Sequence, residues 1–265
     1  MHGNTCLALE TIVTEDEDPS DSDVDGSAEE QCRVADILAE ALRDVPPEDA
    51  PVTLCRLCLR LLPVTGVSVS LQGAGTGTDT LLCASDAVSA QLAEIQYTLG
   101  EGPCLQARMV QAPVFAPDLL DARQVRRWPM FAAQAVRAGA KAVFSVPLSS
   151  PVRTLGTMDM YRREPGPLSD SDIHVALLAA DAVNAGITAV HGSARNPEEV
   201  VAWLKGAETD REEVHQATGM IMVQLAVSPE EALARLRARA FAQGRTASEL
   251  ARDIVNRTSD IGDHD

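Results

Sequence analysis

The stretch HQATGMIMVQLAVSPEEALARLRARA, His215 to Ala240, decides how the C-terminal part of this chain folds. It continues a pattern that begins upstream. Val200, Leu204, Ala207, Arg211, Val214, Thr218, Ile221 and Leu225 follow one another in alternating steps of four and three, which is a heptad seam. Drawn as one helix from Pro197 to Leu225, the segment would measure about 43 Å. Arg211 and Thr218 are polar members of that seam, and a polar residue there costs stability but fixes register. Gly206 and Gly219 each cost roughly 1 kcal/mol against Ala inside a helix, so each should have a structural reason.

The second half of the stretch is a helix start. Ser228-Pro229-Glu230-Glu231 reads as a capping box with proline at the first helical position. Leu233, Leu236 and Ala240 line the helix that follows, and Gly244 is placed to end it in a left-handed conformation. Thr246-x-x-Glu249 is a further capping box, with Leu250, Ile254 and Val255 as the last apolar stripe. The expectation is a three-helix unit of about 50 residues, with a core too small to be comfortable alone. Dimerisation through its first helix would help, so a homodimer is predicted.

Working outward, Asn196-Pro197-x-Glu199 is another capping signature, and residues 191–199 read as a linker and helix start. Before it the elements are mixed. Cys32–Leu42 and Val52–Leu62 have helical spacing; GVSVSL and TLLCAS alternate as strands around the break GAGTGTD. Ala87–Ile95 follows neither period. APVFAPD suggests a short strand, WPMFAAQAVRAGA a helix closed by Gly139, and KAVFSVPLSS and TLGTMDMYRRE two further strands. Ser169 with Asp172 opens a long helix whose stripe reads Ile173, Leu177, Ala180 and Ile187. This order predicts an α/β sandwich with a largely antiparallel sheet over residues 31–190, followed by helices over 200–257.

Composition narrows the function. The chain has 265 residues, 45% hydrophobic and 23% charged, with 3% aromatics and a net charge of -17. That charge disfavours non-specific attraction to nucleic acid or anionic lipid. It is uneven, however. Glu15–Glu30 holds nine acidic and no basic residues, and residues 1–30 read as a disordered acidic tail, with a short tail again at 258–265. Arg235–Arg257 holds six arginines against two acids, the least acidic surface on offer. No apolar run is long enough for a membrane span, and the N-terminus lacks a basic region followed by an apolar stretch. A cytoplasmic protein with its six cysteines reduced is predicted.

The chemical motifs are mostly negative. Cys55-x-x-Cys58 lies on an apolar helix with no second metal-ligand pair, so it reads as core. GAGTG lacks the third glycine of a dinucleotide loop and no G-K-[ST] follows. The loop GEGPC, Gly100–Cys104, is different. Its glycines, proline and cysteine could set backbone N–H groups and a thiol at a pocket mouth, as a ligand gate or a reactive cysteine, or form a rigid turn.

In REEVHQATGMIMVQLAVSPEEALARLRARAFAQGRTASELARDIV the pattern resembles an ANTAR domain, the RNA-binding module of transcription antitermination regulators. Ala217, Gly219 and Met222 match its Ala-x-Gly-x-x-Met core, Ala232 the start of its second helix, Leu236, Arg237 and Ala240 its Leu-Arg-x-x-Ala, and Leu250-Ala251 the end of its third helix. The family often has Lys where this chain has Thr218. Upstream, LGEGPCLQA, RRWPMFAAQAVRAGAKAVFSVPL and LGTMDMY resemble a GAF domain of the kind found in GAF–ANTAR regulators.

The resemblance implies a GAF-like α/β sandwich that senses a small molecule or redox state, no ligand or cofactor being named by it. It also implies an all-α three-helix ANTAR unit with a coiled-coil-like first helix. That unit would bind tandem hairpins in nascent RNA and prevent termination. Arg211, His215, Gln216, Arg237, Arg239 and Arg245, around Ala217, Thr218 and Gly219, are the expected RNA contacts. Cys83, Gly100, Gly102 and Cys104 are the expected ligand or redox positions. Two alternatives stand beside this regulator, which is no enzyme. One is a GAF-fold thiol enzyme with Cys83 and Cys104 as nucleophile and resolving thiol. The other is a dimerisation module without an RNA role.

Overall fold

Alternation of side chains along five strands builds the centre of the molecule. β1 (Gly66–Gln72), β2 (Asp79–Ala84), β3 (Val114–Ala116), β4 (Ala142–Ser149) and β5 (Thr154–Arg162) form one sheet in the order β2-β1-β5-β4-β3, every neighbouring pair antiparallel. The structure is a computed structural model. It describes residues 49–72, 79–149, 154–193 and 213–257, together with a few positions between 36 and 46. The acidic tails, most of Cys32–Leu42, the GAGTGT loop and the seam residues Val200, Leu204, Ala207 and Arg211 lie outside the described residues.

Successive side chains point to opposite faces of a sheet. On one face Val67, Val69, Leu71, Cys83, Phe144, Val146, Met158 and Met160 pack against α1 (Ala50–Leu61) and α6 (Asp170–Ser193) to make the main core. Each large aliphatic side chain so buried contributes roughly 1.5–3 kcal/mol. On the other face lie α2 (Ala87–Leu99), α3 (Pro103–Val110) and α5 (Pro129–Ala138), with a second core of Leu92, Ile95, Val114, Phe131, Ala135, Val143 and Tyr161. The result is an α/β/α sandwich.

Residues 87–95, which follow no clear period in the sequence, are the first part of α2. The reason is that α2 is buried nearly all round. Ser89, Leu92, Ala93, Ile95, Gln96, Tyr97 and Thr98 are all covered, so no single stripe exists to read. Asp86 caps its start, accepting hydrogen bonds from Ser89 N (2.7 Å) and from Tyr161 OH (2.7 Å) across in β5. The long helix α6 begins at the expected Ser169–Asp172 box, Asp172 N donating to Ser169 Oγ at 3.1 Å. Of its expected stripe, Ala180 and Ile187 are buried and Ile173 packs against the core, but Leu177 departs from it. Leu177 is exposed, and Ala176, Ala179 and Val183 join the buried face toward the sheet and α1, the alanines letting the helices approach closely. The helix also runs on through His191–Ser193, where the sequence suggested a linker. A short helix α4 (Ala122–Arg127), capped by Asp121 and with no buried residue, was not foreseen.

The C-terminal unit has the three expected helices: α7 (213–225), α8 (Pro229–Ala242) and α9 (Ala247–Val255). Val214, Ala217, Ile221, Ala232, Leu236, Ala240, Leu250, Ala251 and Ile254 form its core. Thr246 and Glu249 make the full reciprocal box. Ser228 makes half of one. It accepts from Glu231 N, while the Glu231 carboxylate turns to Arg235 at 2.8 Å. Gly244, at φ 66°, supplies the left-handed stop after α8.

Gly156 marks where β5 meets β1 most closely: a Cβ there would sit 2.0 Å from Ser70 O. Gly156→Ala should therefore cost about 2 kcal/mol or more, seen as a lower urea midpoint at unchanged slope. An unchanged midpoint would contradict this β1–β5 register.

Candidate functional site

The sheet face beneath α3 is polar in a place where burial favours apolar side chains. Ser68, Ser145, Thr157 and Asp159 alternate with the core valines and methionines, and all four are buried. Thr157 Oγ1 donates to Asp159 Oδ2 at 3.3 Å, whereas Asp159 Oδ1 and Ser145 Oγ have no hydrogen-bond partner among the described residues. Burial pushes the Asp159 carboxyl up to about 6; Ser145, Thr157 and Arg108 pull it the other way. Ser145 does so from nearby, without completing a hydrogen bond. Above this floor Arg108 of α3 pairs with Asp79 at the start of β2 and pins the helix across the sheet. A carboxyl oxygen and a hydroxyl buried without partners cost free energy that the apolar residues around them would not.

The loop GEGPC holds three helices, and its Gly100 and Glu101 also border a cleft of about 370 Å³. Gly100, at φ 62°, ends α2, and Glu101 Oε1 accepts from Met130 N and Phe131 N, both at 3.0 Å, to cap α5. Gly102 precedes α3 at φ 144°, and a Cβ there would lie 2.5 Å from the Gln96 side chain. Gln96 Oε1 in turn accepts from Cys104 N at 2.8 Å. Cys104 is thus buried on the inner side of α3's first turn, not at a pocket mouth. Burial, and then the charge of Asp159, push its thiol well above the ordinary range. Cys83 lies on the opposite sheet face, its Sγ 2.8 Å from Cys55 Sγ. The sheet separates the two thiols, so they are not a nucleophile and resolving pair. Cys55 and Cys58 are buried, as their apolar helix implied. The hydrogen bond to Cys83 and then burial raise the Cys55 thiol, and burial raises Cys58 to about 12. Among the described residues no group of three or more His, Cys, Asp or Glu is placed to hold a metal.

The expected RNA contacts of the C-terminal unit fall in different places. His215, Gln216 and Gly219 are exposed on α7, and a Cβ at Gly219 would meet nothing within 4 Å. Ala217 is fully buried, so its small side chain serves helix packing and not a surface. Thr218 is half-buried and its hydroxyl donates back to Val214 O at 2.7 Å. The alternating arginines separate, because two residues turn a helix by about 200°. Arg235 and Arg239 share one side of α8, while Arg237 points the other way, its guanidinium 4.3 Å from the ring centroid of Tyr97 in α2. Arg245 is engaged by Glu249 O (2.9 Å) and the Asp253 carboxylate (2.7 Å). Arg211 lies outside the described residues.

Sequence reading missed Asp159, Ser145, Arg108 and Asp79. A signal existed: Ser145, Thr157 and Asp159 occupy inward positions of strands whose other residues are apolar on both faces. The pKa of Asp159 gives a test. The folded state holds this proton to about 6, whereas an unfolded aspartate ionises near ~3.9. The group's relative stabilisation is therefore present at low pH and lost as pH rises through about 6. Asp159→Asn should gain on the native chain between pH ~4 and ~7, by about 3 kcal/mol at most. Urea midpoints across that range check this, and a difference constant with pH would place the ionisation elsewhere.

Comparison with known proteins agrees with this division. A GAF domain model matches residues 47–188 and an ANTAR domain model residues 202–255. No curated protein matches the chain. Among solved structures, the GAF domain of an Acinetobacter phosphoenolpyruvate-protein phosphotransferase is 12% identical with a TM-score of 0.50, covering 63% of this chain and 98% of its own. The GAF domain of a Coxiella burnetii phosphoenolpyruvate-protein phosphotransferase is 16% identical with a TM-score of 0.51, covering 64% and 99%. These likenesses concern the fold alone. Among the described residues no helix is long and apolar enough to cross a membrane. The ANTAR domain implies an RNA-binding antitermination regulator and the GAF domain a sensor. With a GAF model matching more than half its length and an ANTAR model following in order, the chain belongs to the GAF domain family and has the GAF–ANTAR architecture.

Proposed function

We propose that this chain is a signal-responsive regulator that binds paired hairpins in nascent RNA and prevents transcription termination. The ANTAR domain behind a GAF domain carries this reading. The sensor unit spans 31–190 and the RNA-binding unit 200–257, with α6 running on from the first as far as Ser193. The protein acts in the cytoplasm as a homodimer; Val214 and Ile221 of the heptad seam are taken up by the unit's own core, which leaves the upstream seam positions Val200, Leu204 and Ala207 for pairing. His215, Gln216 and Gly219 of α7, with Arg237 and Arg239 of α8 and Arg211 upstream, meet RNA loops and phosphates. The open space over Gly219 lets a base or backbone come close to the helix. The signal is a small molecule that donates hydrogen bonds to Asp159 and Ser145, the buried acceptors left unsatisfied under α3. The thiol-enzyme alternative loses its chemistry with Cys83 and Cys104 on opposite sheet faces.

Binding of the purified chain to an RNA of two hairpins with looped-out bases, at about 50 and about 200 mM salt, tests the reading. Affinity should fall at least about tenfold over that range, because phosphate contacts release counterions. Gly219→Glu adds a negative charge where no atom is displaced, and Glu is a better helix former than Gly. It should weaken RNA binding at least about tenfold while leaving the melting temperature equal or higher. An RNA affinity untouched by salt and by Gly219→Glu would rule this face out.

A further inference from the structure

The RNA-binding unit rests against the sensor through one face of α2. Glu94, Tyr97 and Thr98 stand at i, i+3 and i+4, which brings them side by side. Tyr97 is almost wholly buried, yet it belongs to neither sensor core and packs among Leu236, Ala247 and Leu250 of the C-terminal unit. Arg237 lies over its ring at 4.3 Å, and Arg237 Nε is buried without a hydrogen-bond partner among the described residues. Thr98 Oγ1 accepts from Ala247 N at 3.0 Å, and Glu94 Oε1 accepts from Ser248 N at 3.3 Å. The first-turn amides of α9 are therefore capped by side chains of another domain, one of them a carboxylate at the positive end of the helix.

We propose that this contact is a closed state in which α2 and RNA compete for the Arg237 face of the C-terminal unit. The inference rests on the RNA-binding reading above. A guanidinium seated on Tyr97 is not available to stack on a base or meet a phosphate, so RNA reaches it only by displacing α2. The contact is narrow enough to break. Open clefts of about 370 Å³, between Glu101, Met130, Ala234 and Phe241, and about 450 Å³, between Gln91, Arg137 and Arg245, flank it. It is also wired to the sensor floor. Gln96, between Tyr97 and Ile95 in the same helix, holds the first turn of α3 through Cys104 N, and α3 covers Asp159 and carries Arg108. A ligand that lifts α3 off the floor acts on Gln96 and hence on the helix that grips Arg237. The closed state lowers apparent RNA affinity by the fraction of chains that are open, and the signal raises that fraction.

The test uses the full chain with Tyr97→Ala and, because it keeps the side-chain volume, Thr98→Val. Two quantities are read: hydrogen exchange at the Ala247 and Ser248 amides, and affinity for the two-hairpin RNA. Faster exchange together with binding about tenfold tighter than the native chain, the size expected for losing one helix cap, supports the closed state. Faster exchange with unchanged, measurable RNA affinity overturns the competition and leaves the RNA-binding reading standing. Exchange unchanged in both variants overturns it also, since these residues would then not hold the unit. Faster exchange with no RNA binding by any form removes the RNA-binding reading, and the competition with it.

Discussion

The arrangement depends on backbone amides that their own helices cannot satisfy. The first turn of any helix leaves N–H groups without an intrahelical acceptor. In this chain several of those acceptors come from α2 and the turn after it: Gln96 for α3, Glu101 for α5, Thr98 and Glu94 for α9. A cap reached across sequence fixes the position of one helix relative to another with hydrogen-bond tolerance, which apolar packing alone does less sharply. α2 is consequently a hub, open to solvent only along the edge of Ala87 and Gln91. Its polar side chains are buried because they serve neighbours.

The sheet beneath it divides labour by the pleat. One face is a conventional apolar core with α1 and α6, and it takes up the cysteines of α1 and β2 as packing groups. The other face exchanges some of that stability for polarity: a carboxyl raised by burial, a hydroxyl without a partner and an arginine held by Asp79. Such groups cost free energy unless something satisfies them. They therefore sit on the face covered by a short helix, α3, and away from the long helices that carry the core.

The sequence made the sheet and the three C-terminal helices legible because their periods are clean and their ends carry strong punctuation. Thr246–Glu249, Ser169–Asp172, Gly139 and Gly244 each stand where the helix boundary falls. It failed where burial removes the period. α2 is covered over most of its surface and reads as neither helix nor strand, and the α6 stripe includes alanines that carry less weight than the exposed Leu177. The candidate site was half legible. The glycines and glutamate of GEGPC organise helix ends, which spacing alone does not distinguish from a ligand loop. The arginines of α8 were grouped by proximity in sequence, and the helical turn separates Arg237 from Arg239. Asp159 was passed over because a single acid in a strand has no motif around it; its significance comes from strands brought together by register.

Borrowed caps bear on how such a regulator can be rearranged in evolution. A sensor joined to an output helix bundle by a linker alone can be exchanged for another sensor with little consequence. Here the output unit carries a hollow shaped for Tyr97 and two amides answered by Thr98 and Glu94. Grafted behind a foreign sensor, it would present that hollow to water and leave those amides to solvent. Residues 94, 97 and 98 are thus tied by inheritance to residues 237, 247 and 248, and the two domains are expected to travel through lineages as a matched pair.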